Sequence, residues 1–227
     1  MNDDRDTDRR RLHDLLDRLA EQQGGRRRLA ECHGRLGWPS HGVYFFYEDG
    51  ETTTDGRPRV VRVGTHALTT TSRTTLWQRL RQHRGAVGGR SSGRGDHRGS
   101  IFRLHVGAAL IRRDQLPDDL LTSWLTQKPV TRHPDEPEVE RAVSAVITAM
   151  PFTWLAVPNA PDGTSARGDI ERSAIALLAH SPSDAGWLGR HVTSTAVQTS
   201  GLWNVNHVNE PYDRGFLNRL DELIPDL

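Results

Sequence analysis

The sequence predicts an α+β domain, in which a small three-stranded mixed sheet is flanked by helices and interrupted by a large insertion. Three observations point there. GVYFFYE, from Gly42, and RVVRVGTH, ending at His66, are rich in aromatic and β-branched residues, as strands are. FTWLAVP, from Phe152, is a third such run. Between and after them lie segments whose apolar residues recur at helical spacing, and strands and helices in this order make a mixed domain.

The elements follow in chain order. Leu12, Leu15, Leu16 and Leu19 recur among charges, which makes residues 6–23 an amphipathic helix. Gly37 and Pro39 punctuate the approach to the first strand, and the polar stretch EDGETTTDGRPR separates it from the second, so the two form a hairpin with a long loop. TTLWQRLRQHRG reads as a helix capped by Thr74 or Thr75 and closing near Gly85. Six Gly and three Arg fill residues 85–99, a composition expected of a mobile loop. SIFRLHVGAAL is apolar without a clear period and reads as a strand turning at Gly107. Val139, Val143, Val146 and Ile147 mark a helix in EVERAVSAVITAM. GDIERSAIALLAH is another, with Asp169 as N-cap. Residues through SGLWNVNHVNEPYD read as loop or short strand, and FLNRLDELI closes the chain as a helix.

Composition narrows the function. At 227 residues the chain suits one sizeable domain. Cys32 is its single cysteine, so neither an internal disulfide nor a thiolate zinc site can form, and a cytoplasmic, reducing setting is expected. No apolar run approaches eighteen residues, so no membrane partner is expected. Net charge is +1, yet between Arg57 and Arg103 eleven arginines meet one acid, Asp96. That local excess is the footprint of phosphate contacts. Arg73, Arg81, Arg84, Arg90, Arg94 and Arg98 are the expected nucleic-acid-binding residues. Coding bias accounts for arginine over lysine, but not for the missing acids.

Strand alternation sorts the candidates. Tyr44, Phe46 and Glu48 share one face of the first strand, and Val43, Phe45 and Tyr47 the other. In the second, Val61 and Val63 should lie together, with Arg62, Gly64 and His66 opposite. Tyr44 beside Arg62 and His66 makes a polar cluster, and Gly64 permits a close approach of backbone or phosphate. Four residues apart on a helix, Arg79 and His83 share a face beside Leu76 and Leu80. Glu171 heads a buried stripe containing Ile175 and Leu178, where a bare carboxylate needs a cation.

GVY at Gly42–Tyr44, RVG at Arg62–Gly64, LWQRLRQH from Leu76 and IERSAIALLAH from Ile170 together resemble the GIY-YIG nuclease family. The resemblance covers residues 41–84 and 152–206. It implies a nuclease-like domain over residues 37–227 with an insertion around 85–150, preceded by a helical attachment at 1–36. It also implies metal-dependent endonuclease activity on nucleic acid, DNA ahead of RNA, with Mg²⁺ or Mn²⁺ as cofactor. Tyr44 would help activate water, with His83 hydrogen-bonded nearby. Arg79 would clamp phosphate, Glu171 would hold the metal, and Asn206, in preference to Asn204, would match a late asparagine that orients the site. One departure stands out: Arg62 occupies the position where the second motif carries tyrosine. It would face the same site, binding phosphate or pairing with Glu171, and it opens the alternative of a non-catalytic nucleic-acid-binding descendant. An HNH-type site from Asp96–His97 and Asn206–His207 would put its first histidine in the glycine-rich loop instead of on a strand end. No HExxH pattern supports a zinc hydrolase.

Overall fold

The computed structural model describes residues 2–69, 71–86, 93–159, 165–181 and 186–224. In chain order the elements are α1 (Asn2–Gln22), β1 (Arg27–Arg28), β2 (Gly42–Thr52), β3 (Pro58–Gly64), α2 (Leu76–Arg84), α3 (Ile101–Arg113), α4 (Asp118–Leu125), α5 (Glu136–Ala149), β4 (Pro151–Ala156), α6 (Arg167–Leu178), α7 (Thr195–Ser200) and α8 (Gly215–Leu223). Among the described residues the sheet has four strands in the order β1-β4-β2-β3, not three. Every pairing is antiparallel, so it is not mixed. The added strand is only Arg27–Arg28, paired with Phe152 and Pro151, and two arginines carry no alternation to read. Among the described residues, no helix is long and apolar enough to cross a membrane.

β2 is central and covered on both sides. Tyr44 and Phe46 meet Leu76, Leu80, Phe102, Phe152 and Trp203, while Val43, Phe45 and Tyr47 meet Leu12, Leu16, Ile175 and Phe216. Two-sided burial is why GVYFFY is apolar throughout. β3 departs from simple alternation. Phe46 pairs with Arg62 and Tyr47 with Val60, leaving Val61 as an extra residue in a bulge. A bulge directs two successive side chains to one face. Val61 therefore joins Tyr44 and Phe46 in one core, while Val63 packs in the other, correcting their expected common face.

The stretch expected to be an insertion is helical. SIFRLHVGAAL forms α3, where a strand was expected. Ser100 caps it by accepting from the Arg103 amide, and residues 102–111 are all buried. A helix buried all round shows no amphipathic period. Gly107 is no turn: a side chain there would collide with the Trp124 indole of α4. The stretch expected to be a mobile loop is partly built. Residues 87–92 lie outside the described residues, but Gly93 N–H donates to the Ala86 carbonyl at 2.9 Å. His97–Gly99 then forms a 3-10 turn capped by Asp96. α6 begins at Arg167 with Ala166 at its N-cap, so Asp169 lies inside the first turn instead of preceding it.

Candidate active site

Tyr44 sits mid-sheet, paired with Gly64 on β3 and Trp154 on β4. α2 is set against it by local chemistry. Thr75 and Gln78 form a reciprocal capping box, and the Leu76 amide donates to the Ser40 carbonyl at 3.0 Å. Leu76 and Leu80 anchor the inner stripe. One turn beyond Arg79, His83 then reaches the strand, and its Nε2 lies 2.8 Å from the Tyr44 hydroxyl. Both residues are fully buried. The other ring nitrogen, Nδ1, is 2.9 Å from Ser100 Oγ. Burial first, then the charges of Arg79, Arg62 and Arg103, hold His83 well below its ordinary pKa, so the ring is neutral at physiological pH. The glycine of the second motif serves Tyr44 directly, because a Cβ at Gly64 would fall onto the phenol ring.

Arg62 takes the Tyr44 side through the bulge. It is buried, donates from Nη1 to the Trp203 carbonyl at 2.7 Å and lies 4.8 Å over the Phe102 ring. Burial lowers its pKa, opposed by Tyr44 and Glu171, whose negative forms favour the cation. Asn206 is exposed, whereas Asn204 is buried and clamps the strand beside Arg62. Its Oδ1 accepts from Val63 N–H at 3.1 Å and its Nδ2 donates to the Val63 carbonyl at 2.8 Å. Asn204, not Asn206, is thus the asparagine held against the second motif, and it is seated there by the burial of Leu202 and Trp203 before it.

Glu171 stands at the adjoining cleft. Its Oε1 accepts from Thr65 N–H at 3.1 Å, and it shares a cavity of about 500 Å³ with Thr65, His66, Thr74, Arg79 and Gln82. Burial raises its pKa against the pull of Arg62, the Thr65 amide, His207 and Arg79. Arg79 is half-buried at the same opening and donates to Gln82 Oε1 at 3.0 Å. Tyr44, Arg62, Arg79, His83 and Glu171 are thus brought together. Among the described residues, no three His, Cys, Asp or Glu side chains are grouped to hold a metal. The donor set fits a hard cation that keeps most of its water and takes one carboxylate and substrate phosphate oxygens.

The arginines divide. Arg59 pairs with buried Glu51 at 2.9 Å, and Arg103 with Glu140. Arg98, expected to bind nucleic acid, forms two 2.9 Å hydrogen bonds to Glu136 and two of 3.0 Å to the Ser123 and Thr126 carbonyls. It is structural. Arg84 donates to the Cys32 carbonyl and lies 5.2 Å over the Trp77 ring, and Arg90 lies outside the described residues. Arg73, Arg81 and Arg94 are exposed. Arg81 and Arg94 flank a second cavity of about 420 Å³ that shares Gln82 and Gly99 with the Glu171 cavity. The two openings are neighbours along one surface.

A comparison with family models matches residues 3–227 to one described as a GIY-YIG domain. Searches of curated proteins and of solved structures find no match. The model spans nearly the whole chain, including the hairpin, α2 and α6 that carry Tyr44, His83 and Glu171. The protein belongs to the GIY-YIG family, whose domains are nuclease-type and act on nucleic acids.

Proposed function

We propose that the protein is a divalent-metal-dependent endonuclease that hydrolyses nucleic-acid phosphodiesters, DNA ahead of RNA. The observation that carries this reading is the Tyr44–His83 hydrogen bond beneath Gly64, the residue next to Thr65, whose N–H seats Glu171 in the cleft with Arg79. Phosphodiester hydrolysis requires a directed water, neutralisation of charge on the phosphoryl oxygens and relief of the leaving oxygen. Tyr44 orients the water through its hydroxyl, and the Arg62 guanidinium beside it supplies a counter-charge for negative charge on that oxygen. Arg79, on the cleft side, takes a phosphoryl oxygen. Glu171 would hold Mg²⁺ or Mn²⁺, which when bound supplies Lewis-acid stabilisation of the phosphoryl oxygens. Arg81 and Arg94 continue the track for the backbone of the substrate.

A second reading has its own support. The Tyr44 side chain is fully buried under Gly64, with Arg62 in place of the second tyrosine. A chain in which the phenol stays covered in this way is a nucleic-acid-binding module.

Incubating the purified protein with supercoiled plasmid separates the two. The expected result is nicking in Mg²⁺ or Mn²⁺ that a chelator stops. Binding without cleavage, on linear and branched substrates alike, rejects the enzyme reading in favour of the binding module. The binding track has a separate test. Arg81→Gln with Arg94→Gln should weaken affinity and flatten the slope of log affinity against log salt by about 0.9 for each duplex DNA phosphate no longer neutralised. Arg98→Gln, by contrast, should lower stability and leave the slope in place, because its charge is spent on Glu136.

A further inference from the structure

We infer that Ser100, delivered by the N-terminus of α3, is a positioning residue that accepts the Nδ1 hydrogen of His83 and so holds the ring with Nε2 turned to accept from the Tyr44 hydroxyl. The catalytic consequence rests on the nuclease reading above; the tautomer itself does not.

The geometry supplies a chain of buried groups with few partners. Tyr44 Oη has His83 Nε2 at 2.8 Å and the Arg62 guanidinium as its polar neighbours. A guanidinium only donates, so the phenol hydrogen has one acceptor within reach, Nε2. If Nε2 carried the hydrogen, the phenol oxygen would face two donors and its own hydrogen would be buried without a partner. A neutral imidazole has one N–H, and the burial and surrounding arginines described above keep this ring neutral. Nδ1 therefore carries it, and its acceptor is Ser100 Oγ at 2.9 Å. That oxygen also accepts from the Arg103 amide as the α3 cap. The Ser100 hydrogen must then find an acceptor of its own, which it does more readily than the phenol hydrogen would, because the serine hydroxyl rotates about its Cβ–Oγ bond whereas a phenol hydrogen keeps near its ring plane.

The backbone of His83 is held from the same direction. Arg103 Nη1 donates to the His83 carbonyl at 2.7 Å, and Arg103 is itself fixed by Glu140 of α5 through Nε to Oε2 at 3.0 Å. The side chain and main chain of His83 thus both depend on residues from the insertion. With its hydrogen committed to Nε2, the phenol is left with its lone pairs toward Arg62. The insertion is in this respect part of the reaction machinery as well as a candidate determinant of substrate choice.

Two measurements test the inference. Long-range ¹H–¹⁵N correlation on wild-type protein, with His83 assigned by its loss in His83→Gln, should show Nδ1 as the protonated nitrogen and Nε2 as the bare one. The reverse pattern overturns the proposal without any assay of activity. In the second, Ser100→Ala should lower the cleavage rate constant about tenfold, less than the loss of a general acid–base group itself and in keeping with a partner that orients one, with KM unchanged, and Ser100→Thr should restore it. In the Ala variant the hydrogen should stay on Nδ1, because the phenol still needs Nε2, but its ¹H resonance should move upfield with the loss of the Ser100 acceptor. Wild-type rates and spectrum in Ser100→Ala overturn the assignment. Should Ser100→Ala fail to fold for want of its helix cap, Ser100→Thr and the wild-type spectrum decide the tautomer. If wild-type protein never cleaves, the nuclease reading fails, while the spectrum still decides what Ser100 does.

Discussion

Glu171→Gln leaves nucleic-acid affinity in place and lowers cleavage by about 100-fold or more, since metal charge stabilisation contributes several kcal/mol to the barrier. The amide keeps the size of the side chain and an oxygen for the Thr65 N–H, so the 3.1 Å hydrogen bond that seats the residue survives. It removes the charge that a hard cation requires. The competing role, compensation of the helix dipole, would be worth about 0.3–1 kcal/mol of stability and nothing in rate. That role belongs to Asp169, the acid of the α6 first turn; Glu171 comes later and faces the cleft. Paired measurements of nicking rate and binding affinity decide between them. A variant that cuts at the wild-type rate removes Glu171 from the chemistry.

The largest effect on stability is expected at Glu140. Its two oxygens accept from the His97 amide and ring and from Arg103, and Arg103 is fully buried. Glu140→Gln strands that guanidinium without its counter-ion, and breaking a buried pair from one side costs about 3–5 kcal/mol. Removing both charges together, Arg103→Met with Glu140→Leu, should cost less than Glu140→Gln alone, because an apolar pair of similar volume carries no uncompensated charge. Urea denaturation with an unchanged m-value measures both. A loss under about 1 kcal/mol for Glu140→Gln would mean that water reaches Arg103 and that the network is not closed.

Much of the frame was legible in residue pattern. GVYFFY announced a strand by its aromatic content, and the Thr74–Thr75 pair announced a helix start, with Thr75 proving to be the cap. Tyr44, Arg79, His83 and Glu171 were legible as a set through their order along the chain. What failed was non-local. The bulge at Val61 depends on how β3 meets β2, and nothing in RVVRVG marks it. α3 was hidden by its own burial, since a helix enclosed on every side has no polar face to reveal the period. The charge map failed for a related reason. Arg98 and Arg103 look unopposed over a local window, yet their acids, Glu136 and Glu140, arrive 38 and 37 residues later. Sequence neighbours reported an open basic patch where folding had already neutralised part of it. Asn204 and Asn206 differ by two positions and share a motif, and only the depth of the preceding Leu202 and Trp203 distinguishes them.

The clamp of Asn204 on Val63 bears on more than the site. β3 lies at the margin of the sheet, where main-chain donors and acceptors would ordinarily invite another chain to add on. Trp203 N–H takes the Val61 carbonyl at 2.7 Å, and the Asn204 carboxamide takes both main-chain groups of Val63. A side-chain amide thus imitates one peptide unit of a neighbouring strand and ends the ladder there. The margin next to the candidate catalytic residues is sealed against self-association by strand addition, so the surface beside them stays available to a phosphate backbone.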